Sequence, residues 1–139
     1  SPGPGDPGDY PISTQIYKKY KSKKRILGIC LGFQQIVFAE GGKIVQQKKI
    51  YHGFQSRIRV LNNSSIFKSR HEFLAGRYHS LKIAEPIKSK TLKITMRCCK
   101  TNVAMGIEDE INKVYGFQFH PDSFLTPNGK NLIKKIIST

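Results

Sequence analysis

Residues Arg25 to Ile36 read RILGICLGFQQI, and no other stretch limits the possible folds as tightly. Arg25 to Ile29 is a short apolar run bounded by charge on one side and a cysteine on the other, which predicts a buried strand. Leu31 to Glu40 has helical character and is closed by Gly41-Gly42. A strand, a one-residue turn and a helix make a βα unit, the building block of an α/β sheet. The turn residue is Cys30, with Gly28 two residues before it and Gly32 two residues after. This is the cysteine form of the G-x-S-x-G elbow, in which glycines permit a sharp turn and a nucleophile is raised above the strand end. Two readings of Cys30 stay open: a small core residue between tight-packing glycines, or a nucleophile whose thiol feels the start of the following helix.

The flanks extend the pattern. Residues 1 to 11 hold four of the seven prolines and form a loop with many exposed backbone amides. Ile12 to Tyr20 predicts a helix with Ile12, Ile16, Tyr17 and Tyr20 on one face. Candidate strands follow at Lys43–Gln47, Ser56–Leu61, Tyr78–Ile83, Thr91–Cys98, Val103–Glu108 and Val114–Phe119, with a short helical turn within Phe67–Leu74. Thr126-Pro127 resembles an N-cap with proline at the first helical position, opening a last helix to about Ile137 whose Ile133, Ile136 and Ile137 face the core. There are no repeats and no linker, so residues 1–139 are expected to form one domain.

The formal charge of +15 raises the question of nucleic acid. The densest basic run, from Lys18 to Arg25, is not interleaved with the stacking aromatics that single-strand binders use, and no recognised nucleic-acid module is visible. The expectation is a solvated lysine-rich surface, with no nucleic-acid partner. No apolar stretch is long enough to cross a bilayer, and the N-terminus does not have the form of a secretory signal. Three cysteines, two of them adjacent, argue against a disulfide framework and fit reduced thiols. A cytoplasmic chain without membrane contact, metal or other cofactor is expected.

A thiol nucleophile needs an imidazole, and the imidazole an orienting acid. His120 ends the apolar run YGFQFHP, and Asp122 lies two residues on, near enough to bend back onto the ring. His52 and His79 are further candidates. His71, in a charged stretch, reads as solvated.

At this point the residues carry a resemblance. SPGPGDP (1–7), GICLGFQ (28–34), KKIYHG (48–53), RYHSL (77–81) and QFHPDS (118–123) occur in one order across the whole chain. Together they resemble a class I (triad) glutamine amidotransferase domain, nearest to the small glutaminase subunits of anthranilate synthase and aminodeoxychorismate synthase. The resemblance implies an α/β fold with an open mixed, mostly parallel sheet flanked by helices. It implies that Cys30 attacks the glutamine carboxamide, that His120 acts as base and then acid, and that Asp122 orients it. Gly3 and Leu31 would supply oxyanion-hole amides, and Gly5, Gln34, Ser80 and Leu81 would hold the amino-acid end of glutamine. Ammonia would pass to a chorismate-using synthase large subunit.

Three departures accompany the resemblance. Phe33 stands where the family usually has histidine, and Asp122 where it usually has glutamate. Family chains also carry a β-α-β segment before the SPGPG loop, where this sequence begins. Strand 25–29 is therefore expected to show an open edge. The alternative expectation is a catalytically weak or silent amidotransferase-like scaffold.

Overall fold

The structure, a computed structural model, describes residues 4–139. Its strands are β1 (Ile26–Ile29), β2 (Ile44–Gln46), β3 (Phe54–Val60), β4 (Glu72–Arg77), β5 (Leu81–Ile83), β6 (Lys93–Cys98), β7 (Ala104–Asp109) and β8 (Val114–Phe117). Its helices are α1 (Pro11–Tyr20), α2 (Leu31–Ala39) and α3 (Gly129–Ile137), with a short 3-10 turn at Pro7–Asp9.

Six strands form one sheet in the order β1-β8-β7-β6-β3-β4, and β2 and β5 form a separate antiparallel pair. The mixed sheet flanked by helices is the expected fold class. The balance of directions differs from expectation: among the described residues only β1–β8 is parallel, and the other four junctions of the large sheet are antiparallel. β1 is an outer strand, paired on one side by β8 in the register Gly28↔Gly116 and Ile29↔Phe117.

Two apolar cores flank the sheet. One gathers Phe73, Met96, Phe117 and Phe119 against Leu132 and Ile136 of α3. The other gathers Phe33, Ile36 and Val37 of α2 with Tyr17, Ile107 and Val114. Phe33 is fully buried there, where a histidine would need a polar partner. Truncating a side chain of this size and burial costs about 3–5 kcal/mol.

β1, α1 and α2 lie within a residue or two of their predicted bounds, but the faces differ. Only Tyr17 of the α1 stripe is buried, while Ile12, Ile16 and Tyr20 are exposed; Ile16 and Tyr20 share a groove with Ile26, Leu27 and Gly28 of β1. The helical turn expected at 67–74 is instead the lead into β4. Tyr78–Ser80 leave the strand path, so only Leu81–Ile83 of that predicted strand remains. Thr126 does not cap α3, whose N-cap is Asn128. The Thr126 hydroxyl accepts from the Gly76 amide (2.8 Å) and donates to the His120 carbonyl (2.7 Å). The buried face of α3 is Leu132 and Ile136; Ile137 points to solvent.

Candidate active site

The parallel register brings two chain ends together. Cys30 follows the last residue of β1, and His120 lies three residues past the end of neighbouring β8. The C-terminal ends of parallel strands are where open α/β sheets bind ligands. The Cys30 amide donates to the Phe117 carbonyl (2.7 Å), which extends the ladder to the turn itself. Its carbonyl then accepts from the Gln34 amide, the first bond of α2. Between these two commitments the Cys30 backbone takes φ 54° and ψ −103°. That left-handed region is costly for a residue with a side chain, on the order of 1–3 kcal/mol, and such strain gathers at functional sites.

Gly28 makes the tight turn possible. A Cβ there would lie 2.4 Å from the Gly32 carbonyl oxygen and 2.7 Å from Ile36, so α2 packs directly on the strand backbone. Gly32 has no such need, since a Cβ there meets nothing within 4 Å. The two glycines of the elbow are thus not equivalent.

Cys30 opens onto a cavity of about 200 Å³, lined by Pro4, Gly5, Leu31, Gln34, His52, Tyr78, His79, Ser80 and Leu81. Its size suits an amino acid better than a drug-sized ligand. Five of the predicted site residues therefore meet Cys30 at one surface. Leu31 is the first residue of α2, so its amide lies at the positive end of the helix. Gly5 holds φ 85°, beside a turn in which Asp6 accepts from the Gly8 amide and Asp9 from the Asp6 amide. Gly3, the other predicted oxyanion donor, lies outside the described residues. A larger cleft, of about 750 Å³, lies between residues 67–71 and α3; Phe67, Leu132 and Ile137 line it among lysines and asparagines, and no cysteine is in its lining.

The histidines separate by environment. His120 is held through its backbone, donating to the Gly76 carbonyl (3.0 Å) and accepting from Thr126. Its Nδ1 lies 3.3 Å from Asp122 Oδ1; the imidazole side chain is 15% exposed and the carboxylate 73%. The Tyr78 ring stands against it. The Tyr78 carbonyl accepts from Cys30 Sγ (3.8 Å). His79 is buried and its lone pair is occupied. Arg77 Nε, which can only donate, lies 3.0 Å from His79 Nε2, so Nδ1 carries the proton and donates to the Leu81 carbonyl (2.8 Å). Burial pushes the His79 pKa down to about 4, with the Arg77 charge acting in the same direction. An imidazole so committed is not available as a base. His52 lines the cavity but is exposed, and His71 is exposed and stacked beside Phe73.

Three further residues at the site were not singled out by sequence reasoning. Arg77 is 0% exposed, lies with its guanidinium 3.6 Å from the centre of the Tyr51 ring, and has no carboxylate within ion-pair distance among the described residues. Gln118, fully buried, donates to Cys30 Sγ (3.7 Å). Tyr78 touches both Cys30 and His120. The available signal was an uncharged or basic polar residue inside an apolar strand run, as in YGFQF.

Residues 1–138 match the family described as glutamine amidotransferase class-I. The chain belongs to this family. Among its amidotransferase relatives, the bifunctional protein TrpGD of Thermotoga maritima is 40% identical over 99% of this chain, which spans 23% of that protein. Anthranilate synthase component 2 of Lactococcus lactis is 37% identical over 99% of the chain and 70% of its own length. The solved structure of a Thermotoga maritima glutamine amidotransferase superposes with a TM-score of 0.69 at 18% identity, covering 99% of this chain and 62% of the other. That last likeness bears on the amidotransferase fold. Among the described residues no helix is long and apolar enough to cross a membrane.

Proposed function

We propose that this amidotransferase chain hydrolyses glutamine through Cys30 and supplies ammonia to a chorismate-using synthase subunit that makes anthranilate or aminodeoxychorismate. The observation that carries the reading is the strained Cys30 turn, opening at the start of α2 onto an amino-acid-sized cavity.

In this reading the Cys30 thiolate adds to the side-chain carboxamide carbon of glutamine, and the oxyanion is met by the amides of Leu31 and Gly3. His120 takes the thiol proton and returns it to nitrogen as the C–N bond breaks, so ammonia leaves and a glutamyl thioester remains. His120 then deprotonates water, which adds to the thioester carbonyl; the C–S bond breaks, glutamate forms and the thiolate returns. Asp122 orients the imidazole. Gly5, Gln34, Ser80 and Leu81 hold the amino-acid end of the substrate. The buried neutrality of His79 supports the choice of His120 as base.

The synthase partner is supported by the relative named as an anthranilate synthase component and by the rim of the site. Tyr78 lines the cavity and is partly exposed, and exposed Phe54 packs edge-on against Tyr51, with the Lys49 ammonium 4.6 Å from the Phe54 ring centre. The test is glutamine hydrolysis by the purified chain, with and without an anthranilate synthase large subunit, together with intact mass after treatment with a glutamine-analogue alkylator. Hydrolysis lost in Cys30→Ala and a single adduct on Cys30 are expected. Full binding of the large subunit with neither would leave the silent scaffold as the function.

A further inference from the structure

Three buried side chains and one backbone carbonyl link Arg77 to the Cys30 sulfur, and chemistry fixes the direction of every step. Arg77 Nε donates to His79 Nε2, because a guanidinium has no acceptor. His79 therefore donates from Nδ1 to the Leu81 carbonyl. That carbonyl also receives Gln34 Nε2 (3.3 Å), and Gln34 Nε2 donates as well to Gln118 Oε1 (3.0 Å). With its oxygen so engaged, Gln118 can offer only its NH2 group to Cys30 Sγ, 3.7 Å away. Gln47 braces the same corner by donating to the His79 carbonyl (2.8 Å). Arg77, Gln34, His79 and Gln118 are all buried, where an amide left without partners is costly and its orientation is correspondingly firm.

We propose that Gln118 is a catalytic residue whose side-chain N–H stabilises the Cys30 thiolate, and that Arg77 and His79 are positioning residues that hold its amide in that orientation through Leu81 and Gln34. The proposal rests on the reading of Cys30 as the nucleophile. A donor aimed at sulfur favours the ionised form, since a hydrogen bond to a charged group is roughly twice as strong as one to a neutral group. The titratable groups that share the cavity with Cys30 are His52, Tyr78 and His79, with His120 behind Tyr78 and Asp122 behind His120; no lysine, arginine or carboxylate lines it among the described residues. The amide donor acts beside the start of α2, whose positive end also favours the thiolate.

The experiment is the rate of Cys30 carbamidomethylation by iodoacetamide against pH, read at Cys30 by peptide mass spectrometry so that Cys98 and Cys99 do not interfere. Gln118→Met keeps the length and removes the donor; the rate at neutral pH should fall about tenfold and the midpoint should move up. His79→Leu should move it the same way, and His79→Asn, which restores an N–H toward Leu81, should recover most of the shift. In the unaltered protein the Gln118 side-chain amide resonances should titrate with the Cys30 midpoint, a readout that needs no variant to fold. A midpoint indifferent to Gln118→Met in a folded protein, or amide resonances that do not follow Cys30, overturns the proposal. The reading of Cys30 as nucleophile fails separately, if the unaltered chain hydrolyses no glutamine beside its synthase.

Discussion

The rings of Tyr78 and His120 stand at 85° with their centres 5.3 Å apart, and the Tyr78 hydroxyl pairs with Ser123 Oγ at 2.8 Å. One residue thus fixes the imidazole through its ring while its backbone carbonyl receives the Cys30 thiol. Edge-to-face packing is worth about 0.5–1.5 kcal/mol beyond burial. Tyr78→Phe should keep the ring contact and retain most glutaminase activity. Tyr78→Ala should lower kcat by about tenfold or more, with a smaller change in KM. Steady-state glutamine hydrolysis with the synthase subunit present checks both.

Asp122 touches His120 from a largely exposed position. Water competes for such a carboxylate, and exposed ion pairs contribute about 0–1 kcal/mol. Asp122→Asn should therefore reduce kcat by no more than about fivefold. Asp122→Glu, one methylene longer, should raise the rate, because misplacement of about 1 Å can cost about 100-fold. A glutamate variant no faster than the unaltered chain would show that the aspartate already reaches far enough.

His79 ties stability to acidity. Its folded pKa of about 4 lies below its ordinary value of 6.5, so the unfolded chain takes up the proton first as pH falls. Its contribution is complete above about pH 6.5 and is lost between there and about pH 4, amounting to about 3 kcal/mol. Glu108, whose carboxyl burial pushes up, works in the opposite sense over its own range. The clean measurement is a difference: Tm should fall more steeply on acidification in the unaltered protein than in His79→Asn.

Gly28 tolerates no side chain. Adding a methyl against the Gly32 carbonyl requires α2 to lift from β1. Gly28→Ala should destabilise by at least about 1–3 kcal/mol, seen in denaturant midpoints, whereas Gly32→Ala should be close to neutral.

Lys48 is exposed on the rim segment, and Lys49 lies over the Phe54 and Tyr51 rings. We propose that these lysines dock electrostatically on an acidic face of the synthase: Lys48→Glu should then weaken association about tenfold at low salt, less at high salt. Reversal at Lys49 should do more, since it also disturbs the rings. Unchanged association in titration calorimetry would remove the electrostatic docking idea.

The elbow was legible because strand, turn and helix signals change over within a few residues at Cys30. β4 was not, because its inward pair Phe73 and Ala75 is flanked by the charged run Arg70-His71-Glu72 and broken by Gly76. Thr126 has the local pattern of a cap, and that pattern cannot foresee that its hydroxyl bridges nearby His120 to Gly76 of the distant strand β4. The exposed α1 stripe carried a true amphipathic period; what covers a face is a tertiary fact that periodicity does not contain. The Arg77 to Gln118 chain was invisible for the same reason, as its members come from three separate stretches: residues 77–81, Gln34 and Gln118.

β1 pairs along one side only, among the described residues. In hydrogen-exchange language, Leu27 and Ile29 carry the β1 amides that face away from β8, so their exchange rates report whether another segment covers that side. Local opening of that edge would let the strained Cys30 turn relax. Anything that shields it would slow exchange at Leu27 and Ile29 and hold the thiol's aim steady, so occupancy of a surface outside the cavity would be felt at the sulfur.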